Sequence, residues 1–183
     1  MSLSLGIEKI EKKLSEKETE LDAVLVASRT IVRSCSNTIK SLHAHDLKAA
    51  KKHLDEAETE LSKIMKMEAK FPSQMNHILQ EYAEARIVFS AVESGKIPSF
   101  GELGINEISY LNGLLDSIGE LKREMYESIR HGKKKDAVAY FEMMEAIYDE
   151  LLPLRFSNSV LPEFRRKQDV GRMQIEQARG ELL

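Results

Sequence analysis

Apolar residues recur along the chain at spacings of three, four and seven, which is the pattern of amphipathic helices. The first stretch of this kind covers residues 4–43, and its apolar stripe includes Leu14, Leu21, Val24, Ile31, Cys35 and Leu42. The same pattern predicts five further helices, at about 46–70, 73–93, 105–131, 134–153 and 160–182. A loop is predicted at 95–104, and no alternating pattern typical of strands occurs. We therefore expect an all-α, single-domain bundle of about six helices over residues 1–183.

Residues that start or end helices stand at the predicted breaks. Asp46 is suited to cap the second helix, and Asn106 the fourth. Pro72 fits the first turn of the third helix, because a proline there loses no hydrogen bond. Gly132 fits the position just after the end of the fourth helix. These residues support the boundaries that the apolar pattern predicts.

The composition of the chain is typical of long helices. Hydrophobic residues make up 42 % and charged residues 31 % of the 183 residues, with only four prolines. The single cysteine, Cys35, excludes an internal disulfide and is predicted to be a packed core thiol. The N-terminus lacks the apolar core of a signal peptide, and no stretch approaches the roughly 18 apolar residues of a membrane span. We expect a soluble, cytoplasmic protein without a membrane partner.

Charge restricts how such a chain could bind nucleic acid. The net charge of −3 argues against nonspecific binding through an overall basic surface. Contact with RNA would therefore require a local basic surface.

His43 and His45 stand at the first break between helices and form a His-x-His motif, a pattern that can bind a metal. Residues two apart on a helix point in different directions, so this pair could chelate a metal only on an extended backbone. The pattern does not favour a metal site at these two histidines.

The third helix carries an acid on its apolar face. Glu81 follows Ile78 by three residues and precedes Ala85 by four, and Glu84 lies at the edge of the same face. A buried carboxylate is unfavourable unless a cation or hydrogen bonds compensate its charge. Two neighbouring carboxylates increase that need.

The fourth helix supplies a second acidic pair, Asp116 and Glu120, on the face opposite its apolar stripe. Gly113 and Gly119 lie on this acidic face, where small residues leave room for a close-packed helix, a substrate or a metal. If the two helices are neighbours, the four acids converge. Four carboxylates without a histidine suit a hard cation such as Mg²⁺ or Mn²⁺.

Other interpretations of these acids remain open. Salt bridges to lysine and arginine explain acids at such spacings in many helical proteins, and Glu142, Glu145 and Asp149 form a rival acidic stripe. The Glu-x-x-His pairs of di-iron bundles are absent, as are HExxH and CxxC zinc signatures.

Two sequence segments around the acids resemble the translin family. These segments are QEYAEA at 80–85 and YLNGLLDSIGEL at 110–121. The first resembles the Gln-Glu-x-x-Glu-Ala segment of the family's catalytic subunits, and the second their Tyr-Leu-x-Gly run followed by Asp and, four residues later, Glu. The resemblance covers roughly residues 70–183 and is closest to translin-associated factor X, in a compact, archaeal-like form.

The resemblance implies a translin-like fold and a metal-dependent endoribonuclease. Its metal-binding and catalytic acids map to Glu81, Glu84, Asp116 and Glu120, with Mg²⁺ or Mn²⁺ as cofactor. The expected reaction is hydrolysis of single-stranded RNA by a metal-activated water, with one acid, Glu81 because of its apolar surroundings, as a candidate general base.

The resemblance also implies a hollow homo-oligomer, octameric in the family, with its sites facing inward. Single-stranded DNA is an open alternative to RNA as the ligand. The candidate phosphate contacts are Arg86, Arg123, Arg165, Arg166 and Lys167. Two alternative functions remain, namely a non-catalytic nucleic-acid-binding shell and a helical scaffold assembled through its first helix.

Overall fold

The fold is an all-helical bundle, as the sequence predicts. The computed structural model describes residues 5–182, in which it contains seven α-helices and no strand. The helices are α1 (Ile7–His43), α2 (Leu47–Ile64), α3 (Pro72–Ser94), α4 (Phe100–Leu103), α5 (Glu107–Arg130), α6 (Lys134–Leu151) and α7 (Phe164–Leu182). The predicted start of the first helix at residue 4 lies outside the described residues.

The predicted caps are present at two helices. The Asp46 side chain accepts a hydrogen bond from the backbone N–H of Ala49, 2.9 Å away, at the start of α2. The Asn106 side chain accepts one from the N–H of Ser109, also 2.9 Å away, at the start of α5. Pro72 is the first residue of α3.

Three boundaries differ from the sequence prediction. The predicted loop at 95–104 contains the single-turn helix α4, which Ser99 and Glu102 stabilise through a reciprocal capping box. The end of the second predicted helix becomes a 3₁₀ turn at Met65–Met67. The last helix begins at Phe164 rather than 160, because Glu163 has a left-handed backbone (φ 63°) that α-helix does not allow.

Helix α5 lies at the centre of the bundle. It packs against α3 on one side and against α6 and α7 on the other, while α1 covers α2 and α3. The core includes Ile31, Leu54, Phe89, Ile118 and Met144, all fully buried. Cys35 is also buried, which confirms the predicted core thiol.

The N-terminal part of α1 extends beyond this core. Val24 is fully buried, but Ile7, Ile10 and Leu14 are 52–61 % exposed although they continue the same apolar stripe. No helix within residues 5–182 is long and apolar enough to cross a membrane.

Gly113 sets the distance between α3 and α5. A Cβ atom at this position would lie 2.6 Å from the Cβ of Ala83 and 3.2 Å from the carbonyl oxygen of Gln80. Only glycine therefore allows α5 to approach the backbone of α3 this closely. This approach places the acids of α3 beside those of α5.

Candidate functional site

Helices α3, α5 and α7 enclose an open, polar cleft of about 380 Å³. All four predicted acids line it, Glu81 and Glu84 from α3 and Asp116 and Glu120 from α5. Helix α7 contributes Arg166, Lys167, Val170 and Gln174. The convergence that the sequence predicted is therefore observed, and we refer to this region as the acidic cleft.

Glu84 is the acid whose environment is most unfavourable to a negative charge. Burial, together with the neighbouring charges of Asp116, Glu81 and Glu120, raises the pKa of the Glu84 carboxyl to about 8. Lys167 opposes this shift but does not cancel it. Glu84 therefore needs either a proton or an additional cation near neutral pH.

The sequence had assigned the apolar surroundings to Glu81, and this assignment is wrong. The Glu81 side chain remains 31 % exposed, with His77 at 4.0 Å. Glu84 follows Glu81 by three residues, so the two side chains lie only about 60° apart around α3, and Glu84 is the one whose pKa burial raises. Apolar surroundings therefore do not single out Glu81 among the four acids.

Asp116 is held from two sides. The Gln80 amide nitrogen donates to Asp116 Oδ2 over 2.8 Å, and the Lys167 ammonium donates to the same oxygen over 2.6 Å and also to Oδ1. The side chains of Lys167 and Asp116 are 15 % and 24 % exposed. Both oxygens of Asp116 are thus engaged by a cation from α7.

Glu120 is held by a histidine that the sequence analysis did not assign to the site. His43, the last residue of α1, places Nε2 2.6 Å from Glu120 Oε2 and Nδ1 2.6 Å from Glu124 Oε1. Burial lowers the pKa of His43, but hydrogen bonds to the two carboxylates outweigh burial and raise that pKa to about 9. The His43 hydrogen bond in turn lowers the pKa of Glu120. His43 is therefore a cation at neutral pH.

No local sequence signal identifies His43, although the buried Glu124 explains why it is needed. Glu124 follows Glu120 by four residues and is only 3 % exposed, so its charge requires a partner. The partner is 81 residues away in the chain, and no local spacing reveals it. The His-x-His pair does not form a joint site, because His45 packs against the ring of His131 instead.

The other glycine beside the acids has a separate role. Gly119 faces the cleft, where an added Cβ would lie 3.1 Å from the amide nitrogen of Gln174. Gly113 thus admits a close-packed helix, and Gly119 keeps space beside Asp116 and Glu120.

The five predicted basic residues are distributed between the cleft and the outer surface. Lys167 and Arg166 line the cleft, although the Arg166 guanidinium donates to Glu163 over 2.7 Å. Arg123 and Arg165 are exposed outside the lining, and Arg86 lies 3.8 Å from Glu58. The structure therefore brings two of the five to the acids.

One acid of the rival stripe on α6, Glu145, is paired with an arginine of α7. Arg179 donates to Glu145 over 2.6 Å, and Arg172 lines the same small cavity as Asp149. Ion pairing thus accounts for Glu145, and the stripe does not converge with acids from a second helix as the acidic cleft does.

The chemistry of the acidic cleft fits a hard divalent cation. Four carboxyl groups line it and Glu84 lacks sufficient compensation, which is the demand that Mg²⁺ or Mn²⁺ would meet. Within residues 5–182, no three His, Cys, Asp or Glu side chains already surround a common point as ligands. Lys167 occupies both oxygens of Asp116, and His43 occupies one of Glu120. Ligation would require the side chains to rearrange.

Comparison with known proteins finds a relative and several similar structures. An uncharacterized protein of Methanocaldococcus jannaschii is 33 % identical over 175 residues, covering 93 % of this chain and 78 % of the relative. No protein-family model matches the chain.

The similar structures are archaeal and fungal C3PO, that is translin/TRAX, proteins. An AfC3PO–duplex RNA complex has a TM-score of 0.90 and 27 % identity, covering 97 % of this chain and 95 % of that one. AfC3PO alone has a TM-score of 0.89 and 28 % identity, covering 96 % of this chain and 94 % of that one. Apo-NeC3PO has a TM-score of 0.89 and 24 % identity, covering 100 % of this chain and 98 % of that one. The NeC3PO likeness at this identity bears on the fold alone.

Proposed function

The chain belongs to the translin family, with closest likeness to its TRAX-type members, and on that premise we propose that it is a metal-dependent endoribonuclease. The observation that carries this proposal is the acidic cleft, in which α3 and α5 bring four carboxyl groups together and in which the partly buried Glu84 has a raised pKa. A structural cluster of salt bridges would leave no such charge deficit.

The proposed roles of the acids follow from their positions. Glu81, Glu84, Asp116 and Glu120 would hold Mg²⁺ or Mn²⁺, with one of them acting as general base rather than as a ligand. When bound, the cation activates a water and offsets charge on the scissile phosphate. The water oxygen forms a bond to phosphorus, its proton passes to a carboxylate, and the bond from phosphorus to the leaving oxygen breaks. Glu84 is our candidate for the proton acceptor, because burial already raises its affinity for a proton.

RNA is the proposed substrate class. A related protein, AfC3PO, has been solved in complex with duplex RNA. In this chain, Lys167 and Arg166 place two cationic side chains beside the acids, and these are the residues that we propose contact the RNA phosphates. We propose single-stranded RNA as the cleaved form, and the duplex is the natural comparison substrate.

The test is cleavage of labelled single-stranded RNA, duplex RNA and single-stranded DNA in Mg²⁺, Mn²⁺ or EDTA. We expect RNA cleavage that stops in EDTA and is lost in Glu81→Ala and Asp116→Asn. Asp149→Asn is the matched control, because Asp149 lines a separate cavity between α6 and α7 and does not line the acidic cleft. Cleavage that survives EDTA or both cleft variants would overturn the metal mechanism.

A second candidate function, RNA binding without catalysis, has one observation in its favour. Lys167 already satisfies Asp116, so the cleft lacks an assembled ligand set. Binding of RNA without cleavage in either metal would establish this alternative. Absence of binding even at low salt would leave the scaffold function.

We also propose that the protein forms a homo-oligomer, as an octameric shell. Two exposed apolar surfaces support assembly, namely the α1 stripe of Ile7, Ile10 and Leu14 and a groove that Phe100, Phe156 and Val160 line. Light scattering tests this proposal, and a stable monomer would remove the case for an enclosed site.

A further inference from the structure

Lys167 lies where a divalent cation would have to bind. Its ammonium contacts both carboxylate oxygens of Asp116, and Gln80 donates to Asp116 from the opposite side. The Lys167 side chain is 15 % exposed, so it lies within the cleft rather than in solvent. An ammonium and a divalent cation compete for these oxygens, because the two positive charges repel each other at such a distance.

The chemistry of lysine allows this contact to break. The ammonium is a compact, well-hydrated charge on a flexible four-carbon stem, and its three donors accept many geometries. Lys167 is on α7, whereas the acids are on α3 and α5, so its movement disturbs neither acid-bearing helix. His43 differs, since two carboxylates hold its ring from both sides and its side chain is 7 % exposed.

Once released, the ammonium has one obvious class of partner at the cleft. It remains tethered beside Arg166, the other cationic residue of the lining. A phosphate oxygen of RNA is an anionic acceptor that a lysine readily contacts.

We propose that Lys167 is a displaceable counter-ion, which holds Asp116 in the absence of a divalent cation and contacts an RNA phosphate after the cation has displaced it. This inference rests on the proposed metal-dependent function and adds a coupling to it. The cation frees the phosphate contact, and the phosphate holds Lys167 away from Asp116. Because linkage is reciprocal, Mn²⁺ and RNA should each increase the affinity of the protein for the other.

The test compares wild type with Lys167→Met, which keeps the apolar stem and removes the charge. Free Mn²⁺ is measured by EPR during titration of the full chain without RNA. We expect Lys167→Met to bind Mn²⁺ about tenfold more tightly than wild type, a factor within the usual range of coupling between sites. Lys167→Arg, which retains a positive charge, should remain closer to wild type.

RNA binding is the second readout and should change in the opposite direction. The probe is a short single-stranded RNA, with and without Mn²⁺, whose integrity is checked on a gel after each titration. We expect Lys167→Met to bind it more weakly than wild type in Mn²⁺ and to gain less affinity when Mn²⁺ is added. The matched control is Lys122→Met, because the Lys122 ammonium donates to Gln177 over 3.0 Å and does not line the acidic cleft.

The outcomes separate this inference from the proposed function. Unchanged or weaker Mn²⁺ binding by Lys167→Met, with wild type binding normally, would overturn the counter-ion role and leave the metal site intact. Failure of both proteins to bind Mn²⁺ would overturn both proposals. If Lys167→Met does not fold, Lys167→Gln replaces it in the same comparison.

Discussion

The two ends of the acidic cleft contain the same pairing of carboxylate and cation, built in different ways. At one end His43 is held between Glu120 and Glu124 and is nearly inaccessible to solvent. At the other end Lys167 reaches Asp116 on a flexible stem from α7. The difference indicates that one end is a fixed support for Glu120, whereas the other can exchange its cation. The predictions below test this distinction.

The largest expected effect is loss of stability in His43→Ala. The substitution leaves Glu124, which is 3 % exposed, without the imidazolium that neutralises it. Breaking a buried ion pair in this way costs about 3–5 kcal/mol in the free energy of unfolding. Lys167→Met should cost less, roughly 1–2 kcal/mol, because Asp116 is partly exposed and keeps the hydrogen bond from Gln80. Chemical denaturation in EDTA measures both values.

One outcome would contradict the predicted difference in stability between these two variants. Equal destabilisation by His43→Ala and Lys167→Met would mean that the two ends are equally fixed. His45→Ala is the control for loss of an imidazole, because His45 is exposed and contacts only the edge of His131 among aromatic rings.

The next effect concerns the close approach of α3 and α5 near the Asp116 end. Gly113→Ala would place a Cβ 2.6 Å from that of Ala83, which forces the two helices apart. Overpacking of this kind costs about 1–3 kcal/mol. Because the α3 acids then move away from Asp116, Mn²⁺ affinity should fall as well. Gly101→Ala is the control, since its added Cβ meets no atom within 4 Å, and it should leave both quantities unchanged.

His43 and Glu84 should both make the protein less stable as pH rises. The pKa of His43 is raised from 6.5 to about 9, so its stabilisation is complete below pH 6.5 and is lost as pH rises through 9. The pKa of Glu84 is raised from 4.5 to about 8, so the fold becomes less stable as pH rises from 4.5 through 8. Without metal, we expect unfolding free energy to fall by roughly 1–3 kcal/mol between pH 6 and 9.

Variants assign that pH dependence to its two sources. Glu84→Gln should remove the fall in unfolding free energy that occurs below pH 8. His43→Gln should remove the fall that extends to pH 9. A stability that is constant or rises over this range would contradict both assignments. Denaturant titrations at each pH in the presence of EDTA provide the measurement.

The smallest expected effect is at Gln80, the second support of Asp116. Gln80→Ala removes one hydrogen bond to a partly exposed carboxylate, which should cost about 0.5–1.5 kcal/mol. Combined with Lys167→Met, it should cost more than the sum of the single variants, because Asp116 then loses both partners. Simple additivity would show that Lys167 and Gln80 do not support the same carboxylate.

Much of the fold could be predicted from local pattern. The spacing of Ile31, Cys35 and Leu42 already identified the buried face of α1, and Asp46 and Asn106 cap helices as their residue types predict. The late start of α7 was not predictable, because nothing in the apolar pattern signals the left-handed backbone at Glu163. The sequence also did not reveal that the N-terminal part of α1 is exposed, because the apolar stripe continues to Ile7 whether or not a partner helix covers it.

The acids show the limit of the same reasoning at the site. The segments around Glu81 and Asp116 identified all four carboxyl groups that line the cleft. The apolar face was assigned to Glu81 because its position was judged from α3 alone, whereas burial depends on which neighbouring helices cover it. In the structure, Glu84 is the acid whose pKa burial raises.

The sequence by itself determined that the protein is helical, where most helices begin and end, and which acids lie on one face of α3 and of α5. These properties depend on interactions between residues close in the chain, so helical periodicity and capping encode them. The tertiary structure decided which cation neutralises which acid. His43 lies 77 residues from Glu120, and Lys167 lies 51 residues from Asp116. Only the packing of α1 and α7 against α5 brings these charges within hydrogen-bonding distance.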